Sequence, residues 1–266
     1  MHEKAQSMSS GLQGYIASPT SPATRMGADI KDSSGRMEIN CLVVVPYRVK
    51  ILIPDSEIWY DSQTKRPDHV LRSMTGAEID YVITDFDREG GCALASRRQA
   101  LDIRRRAIPR NQKAGDKVPV RIVAVGRTRL LAEYGGFDLS LSQRDVSYAM
   151  VPDLREQYHP GEICIAVIKE YDREQNVMAV SIKEAEPHPF DGADQRHPVG
   201  SRRASVITGK YAGGVFCRLD NNLDCLCTYS QNQRDEDFSV GDEAIVVIRR
   251  YNYDKKQVYG KIIAKW

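Results

Sequence analysis

The sequence has almost no net charge. Lys and Arg total 38 against 36 Asp and Glu, leaving +2 over 266 residues. That balance excludes a chain that grips nucleic acid by overall charge alone, so any basic surface has to come from local clustering. Paired Cys-x-x-Cys knuckles are also missing. Of Cys41, Cys92, Cys164, Cys217, Cys225 and Cys227 only Cys225 and Cys227 are close together, and the histidines do not complete a metal set. No cofactor or metal is therefore expected, and the cysteines read as reduced packing residues, which fits a reducing cytosol. No apolar stretch preceded by basic residues opens the chain, so no signal peptide is expected. The longest apolar run, Ile39–Val45, is too short to span a bilayer. These readings give a cytoplasmic protein with no membrane partner.

Catalytic constellations are equally scarce. His159, His188 and His197 each precede a proline and read as loop residues. No Ser or Cys sits in a nucleophile elbow. Gly209, Gly213 and Gly214 do not follow the strand-to-helix pattern of a phosphate-cradling loop. The carboxylates Asp235, Glu236 and Asp237 fall in a solvated loop. An enzyme is not expected.

What the sequence does contain is a repeat. Gly76-AEIDYVITDF-Asp87, Gly161-EICIAVIKEY-Asp172 and Gly241-DEAIVVIRRY-Asn252 place a glycine and an Asp or Asn at the same offset. Phe86, Tyr171 or Tyr251 precedes the Asp or Asn each time. Glycine opens a turn, a β-branched run follows, Asp or Asn makes a tight turn, and an alternating run returns, which is the pattern of a β-hairpin. A lone hairpin is marginal, so each copy needs further strands. In the third copy Ala204–Thr208, Val215–Asp220 and Asp224–Thr228 supply them; in the second, Val120–Val125, Arg129–Tyr134 and Phe137–Ser142. In the first, Ile39–Val45 and Val49–Pro54 form a hairpin, and Leu12–Ala17 is the candidate first strand. Five strands per copy suggest small closed barrels, because closure removes exposed edges.

The expected organisation is all-β, with a flexible or partly ordered head at 1–36, divergent modules at 37–98 and 117–183, a basic linker at 99–116, a Pro-rich linker at 184–200 and the clearest module at 201–266. The arginines around the first linker, Arg104, Arg105 and Arg106 above all, suggest an electrostatic arm on phosphates. Positive charge also gathers on the last hairpin at Arg249, Arg250, Lys255, Lys256 and Lys261.

At this point the chain resembles the S1 RNA-binding domain, an OB-fold. The third copy carries the resemblance in Tyr211-AGG-Val215-Phe216-Cys217-Arg218-Leu219, Asp224-CLCTYS, Gly241-Asp242-Glu243 and Asn252; the first in Lys50-ILIPDSEI; the second in Gly161-Glu162, Asp172-Arg173-Glu174 and Val180–Lys183. The resemblance implies tandem five-stranded OB barrels of S1 type. It also implies RNA lying across the second and third strands, stacked on two aromatics and touching a His, an Asp and a basic residue. Those positions fall on Tyr211 and Phe216, on Thr228 in place of the His with Tyr229 beside it, on Asn252 in place of the Asp, and on Gln257 with Lys261 nearby. Strand alternation puts Arg218 on the face of Phe216, where its cation suits a phosphate. The middle copy shows Gly126-RTRLL and Ser142 instead, and the first offers Tyr47 and Arg48.

The function this implies is non-catalytic binding of single-stranded RNA by stacking and phosphate contacts, with messenger RNA or the small ribosomal subunit as partners. Single-stranded DNA stays open, since nothing identifiable reads a 2′-hydroxyl. The rival is a protein-interaction or structural scaffold built from degenerate S1 barrels, which the near-zero net charge favours.

Overall fold

The computed structural model describes residues 12–20, 41–45, 49–60, 66, 68–87, 91–211 and 214–265. It divides into two units: Met1–Val146 with Pro152–Ala185, and Ser147–Val151 with Glu186–Trp266. The architecture is all-β, built from three five-stranded modules of OB type.

The first module comprises β1 (Leu12–Thr20), β2 (Cys41–Val44), β3 (Lys50–Pro54), β4 (Glu78–Asp87) and β5 (Cys92–Ser96), closed in the order β1-β2-β3-β5-β4. Its first strand lies inside the stretch expected as a head, where β1 pairs with both β2 and β4. The remainder of 1–36 lies outside the described residues, as do Tyr47 and Arg48. A short helix, α1 (Asp68–Arg72), precedes β4.

The second module comprises β6 (Lys117–Val125), β7 (Arg129–Tyr134), β8 (Phe137–Ser142), β9 (Ile163–Asp172) and β10 (Val177–Ser181), in the order β10-β9-β6-β7-β8. It differs from the expected closed barrel in one respect: β8 and β10 do not pair, whereas the equivalent strands β3 and β5 form a parallel ladder. A helical turn, α3 (Gln143–Val146), fills that gap. The Ile182 amide and the Ser181 hydroxyl donate to the Asp145 carbonyl, so the fifth strand is tied to α3 instead of to β8.

Between these modules the expected basic linker is an eleven-residue helix, α2 (Arg97–Ala107), capped by the Ser96 hydroxyl, which accepts from the Gln99 amide. The third module comprises β11 (Arg202–Tyr211), β12 (Gly214–Arg218), β13 (Asp224–Thr228), β14 (Glu243–Asn252) and β15 (Gln257–Lys265), closed as β11-β12-β13-β15-β14. Phe190 and Ala193, from the Pro-rich stretch before it, join Ile207, Val215, Cys217 and Val246 in its core.

The repeated residues have a structural cause. Gly76, Gly161 and Gly241 have φ of 87°, 91° and 96°, a region that L side chains avoid. The amides of Gly161 and Gly241 donate to the Ile122 and Ile207 carbonyls, each beside a β-bulge in its module's first strand. The Asp172 carboxylate accepts from the amides of Glu174 and Gln175, and the Asn252 side chain accepts from Lys255, so this position closes the hairpin turn. The shared motif therefore encodes the barrel.

Candidate nucleic-acid interface

Strand register sorts the outer face of the third module into rows. Gly209 on β11 pairs with Phe216, Phe216 with Leu226, Leu226 with Tyr259, and Tyr259 with Arg250. In the next row Tyr211 pairs with Gly214, and Thr228 with Lys261. On the other side Val206 pairs with Arg218, Arg218 with Asp224, and Gln257 with Asn252. Alternation turns Val215, Cys217, Cys225, Cys227 and Val258 into the core and leaves these rows outward.

The rows bring most of the expected site together. The rings of Tyr211 and Phe216 lie 5.5 Å apart, tilted by 37°, with Tyr211 43% exposed and Phe216 half-buried. Glycines flank them: Gly209 pairs with Phe216 and Gly214 with Tyr211, so neither paired position puts a side chain beside the rings. Thr228 is exposed, and Lys261 makes no ion pair among the described residues.

Sequence reasoning missed Tyr259. It stands beside Leu226 in the row of Phe216, and the Arg250 guanidinium lies 4.4 Å above its ring, a cation held at the end of the aromatic row. The signal was the alternation of Gln257, Tyr259 and Lys261 against the core residues Val258 and Ile262.

Three expected contacts are otherwise engaged. Arg218 is paired with Asp224 at 3.1 Å and donates to the Met150 carbonyl at 2.6 Å, while the Met150 amide donates to Asp224 at 3.4 Å. The chain's own backbone thus occupies that end of the face. Asn252 closes the hairpin turn. The Tyr229 hydroxyl donates to Asp235 at 2.5 Å and its ring stacks on Phe238 at 5.3 Å. Burial and the neighbouring carboxylate hold that phenol protonated well above its ordinary range. Tyr229 is thereby locked to the Asp235–Phe238 loop.

Matching the modules at their first-strand bulges locates the same face in the other two. In the second module Leu131 takes the place of Phe216, and the pair Glu133–Asp138 that of Arg218–Asp224. Leu131 is buried in one cluster with the core of the first barrel. Glu133 and Asp138 hold Arg97, whose side chain is fully buried, at 3.0 and 2.6 Å, and Arg97 also donates to the Ile58 carbonyl at 3.0 Å. Burial works against the Arg97 charge, but Asp138 and Glu133 outweigh it and raise its pKa. Burial likewise raises that of Glu133, against the pull of Arg97 and Arg121. Arg121 extends the network to Glu78 and Asp80 of the first barrel. In the first module the matching row is Val43, Leu52 and Leu94, apolar throughout, with Val43 and Leu52 buried.

Arg104, Arg105 and Arg106 therefore do not form a free arm. Arg104 is paired with the buried Asp80 at 2.9 Å. Arg105 lies over the rings of Tyr60 and Phe137. Arg106 is exposed and paired with Asp102 one turn back. Helix α2 is a clamp between two modules, and its basic character in sequence reflects the acidic faces it joins.

No family model matches the chain. It is 21% identical to small ribosomal subunit protein bS1 of Neisseria meningitidis serogroup B, over 62% of this chain and 30% of that protein. To bS1 of Chlamydia trachomatis it is 22% identical, over 78% of this chain and 37% of that protein. It is also 21% identical to a 4-hydroxy-3-methylbut-2-enyl diphosphate reductase of Clostridium tetani, over 79% of this chain and 34% of that protein. The chain spans about a third of the length of these curated relatives. The likeness to S1 proteins that the motifs carry thus extends over most of the chain.

Proposed function

We propose that the chain is a non-catalytic single-stranded RNA-binding protein whose RNA lies on the outer face of the third module. The observation that carries this reading is the aromatic row, in which Tyr211 and Phe216 stand 5.5 Å apart with Tyr259 and its stacked Arg250 two strands away. Base–aromatic stacking contributes roughly 1–3 kcal/mol per base and tolerates any sequence. Lys261 and Arg250 supply phosphate contacts, and Thr228 a hydroxyl on the same face. Among the described residues this face holds no array of donors and acceptors aimed at base edges, so binding depends on stacking and charge, and single-stranded DNA competes with RNA.

The similarity to bS1 supports messenger RNA or the small ribosomal subunit as the physiological partner. The reductase name belongs to a protein of which this chain matches only a third. No helix among the described residues is long and apolar enough to cross a membrane. Cys164, Cys217, Cys225 and Cys227 stand as thiols, which fits our assignment to the cytoplasm.

A scaffold reading is favoured for the first unit by a specific observation. Both of its equivalent faces are turned to internal packing, through Leu131 and Arg97 in one module and through Val43 and Leu52 in the other.

Fluorescence anisotropy with a short 5′-hydroxyl oligouridylate tests the proposal. Wild type should bind with an affinity that falls as salt rises, and Phe216→Ala should weaken binding about tenfold, the value of one stacked base. Binding that ignores both salt and Phe216 would remove it.

A further inference from the structure

The first unit carries a cavity of about 460 Å³ between α2 and the β9–β10 hairpin. Three arginines, Arg105, Arg106 and Arg173, and three rings, Tyr60, Phe137 and Tyr171, line it. This site shares no residue with the third module's face and stands independently of the reading given to that face.

The arginines differ in how they are held. Arg106 is largely neutralised by Asp102. Arg105 is half-buried, donates to the Gly136 carbonyl at 2.9 Å, and lies 3.4 Å and 4.2 Å from the ring centroids of Tyr60 and Phe137. Arg173 donates to the Ile108 carbonyl at 2.5 Å. Neither Arg105 nor Arg173 makes an ion pair among the described residues. A carbonyl orients a guanidinium without cancelling its charge, so two fixed cations face one cavity with no carboxylate paired to either among the described residues, Asp102 and Asp138 acting on Arg105 only from a distance. Burial lowers the pKa of Arg105, an expense that an incoming anion would offset. The helix dipole accounts for cations at this end of α2, but it does not account for a cavity walled by three rings.

The ligand follows from charge and size. Guanidinium forks match phosphate oxygens. Two cations match a phosphate monoester, which carries about −1.5 to −2, better than the single charge of an internal phosphodiester. The volume falls in the range of small-molecule sites and exceeds what a lone phosphate fills. Tyr171 stands edge-on to Phe137, with centroids 6.4 Å apart at 86°, and is only half-buried, which leaves ring surface for a base. The geometry points to a site for a nucleotide bearing a terminal phosphate, the 5′ end of an RNA rather than its interior.

The test uses the full chain carrying Phe216→Ala and Tyr259→Ala, so that the third module's face does not contribute. Anisotropy compares a 5′-phosphorylated oligouridylate with its 5′-hydroxyl twin. The phosphorylated oligomer should bind at least about tenfold tighter, the value of one charge-assisted hydrogen bond. Adding Arg173→Gln, an exposed change, or Arg105→Gln should abolish that preference, with thermal melts confirming that each variant folds. Competition with UMP separates the sources: a free nucleotide competing as well as the oligomer assigns the site to nucleotides, and a much weaker one assigns it to RNA ends. Equal binding of the two oligomers, or a preference that survives Arg173→Gln, would overturn the proposal.

Discussion

Arg97→Met removes a fully buried cation and leaves its volume roughly filled. Glu133 and Asp138 then stay buried without the partner that holds them at 3.0 and 2.6 Å. Breaking a buried ion pair from one side costs about 3–5 kcal/mol, because the charges left behind are poorly solvated; Arg121, at 3.4 Å from Glu133, is the one cation that stays beside them among the ion pairs of this network. At about 2–4 °C per kcal/mol for a unit of this size, the melting transition of the first unit should fall by roughly 6–20 °C. The pH dependence distinguishes this cause from mere loss of packing. Burial already raises the pKa of Glu133, and losing Arg97 raises it further. The folded variant then binds protons more readily than the unfolded chain, so its deficit is greatest at neutral pH and shrinks as pH falls toward the carboxylate range. Adding Glu133→Gln and Asp138→Asn should restore part of the loss at neutral pH. Urea denaturation at several pH values measures all of this. A loss under about 1 kcal/mol at neutral pH, or a deficit that grows on acidification, would refute the reasoning.

Gly260→Ala should destabilise the third barrel by about 1–3 kcal/mol, since a β-carbon there meets the Cys225 and Cys227 sulfurs at 2.9 and 3.0 Å; urea unfolding that matches wild type would contradict this. His197 is buried with neither ring nitrogen hydrogen-bonded among the described residues, and burial lowers its pKa. Its folded state resists protonation, so stability present above the unfolded value near about 6.5 is lost as pH falls below it, and His197→Phe should flatten the melting profile between about pH 7 and 5. Tyr229→Phe removes the bond to Asp235 but no ring from the aromatic row, so it should lower the melting temperature and leave RNA affinity unchanged in anisotropy titrations.

The barrels were legible because their signals are local. A glycine at positive φ, an Asp or Asn closing the hairpin turn and alternating cores in Cys217, Cys225 and Cys227 all act within a few residues of themselves. Tyr211, Phe216 and Lys261 could be placed on one face for the same reason. The partners of Arg97 and Arg104 could not. A run of arginines looks alike whether its carboxylates are solvent ions or Asp80, Glu133 and Asp138, which are brought to it by strands of two different modules. The open edge between β8 and β10 was hidden likewise, because α3 takes over hydrogen bonds that the alternating pattern assigns to a ladder. Asn252 and Tyr229 have a structural role that was hidden in a related way. Asn252 lies where the S1 pattern expects a contact with RNA and Tyr229 lies beside such a position, and each is held by a neighbour three to six residues away.

The central claim is that one face of three binds RNA while its two counterparts are buried within the first unit. Photocrosslinking with a 5′-hydroxyl oligouridylate carrying 4-thiouridine, followed by peptide mapping, tests it most directly. Adducts should concentrate on peptides containing Tyr211, Phe216 and Tyr259, and be lost when Phe216 and Tyr259 are both replaced by Ala. Adducts concentrated instead on the strands of Leu131 or of Val43 and Leu52 would contradict the account.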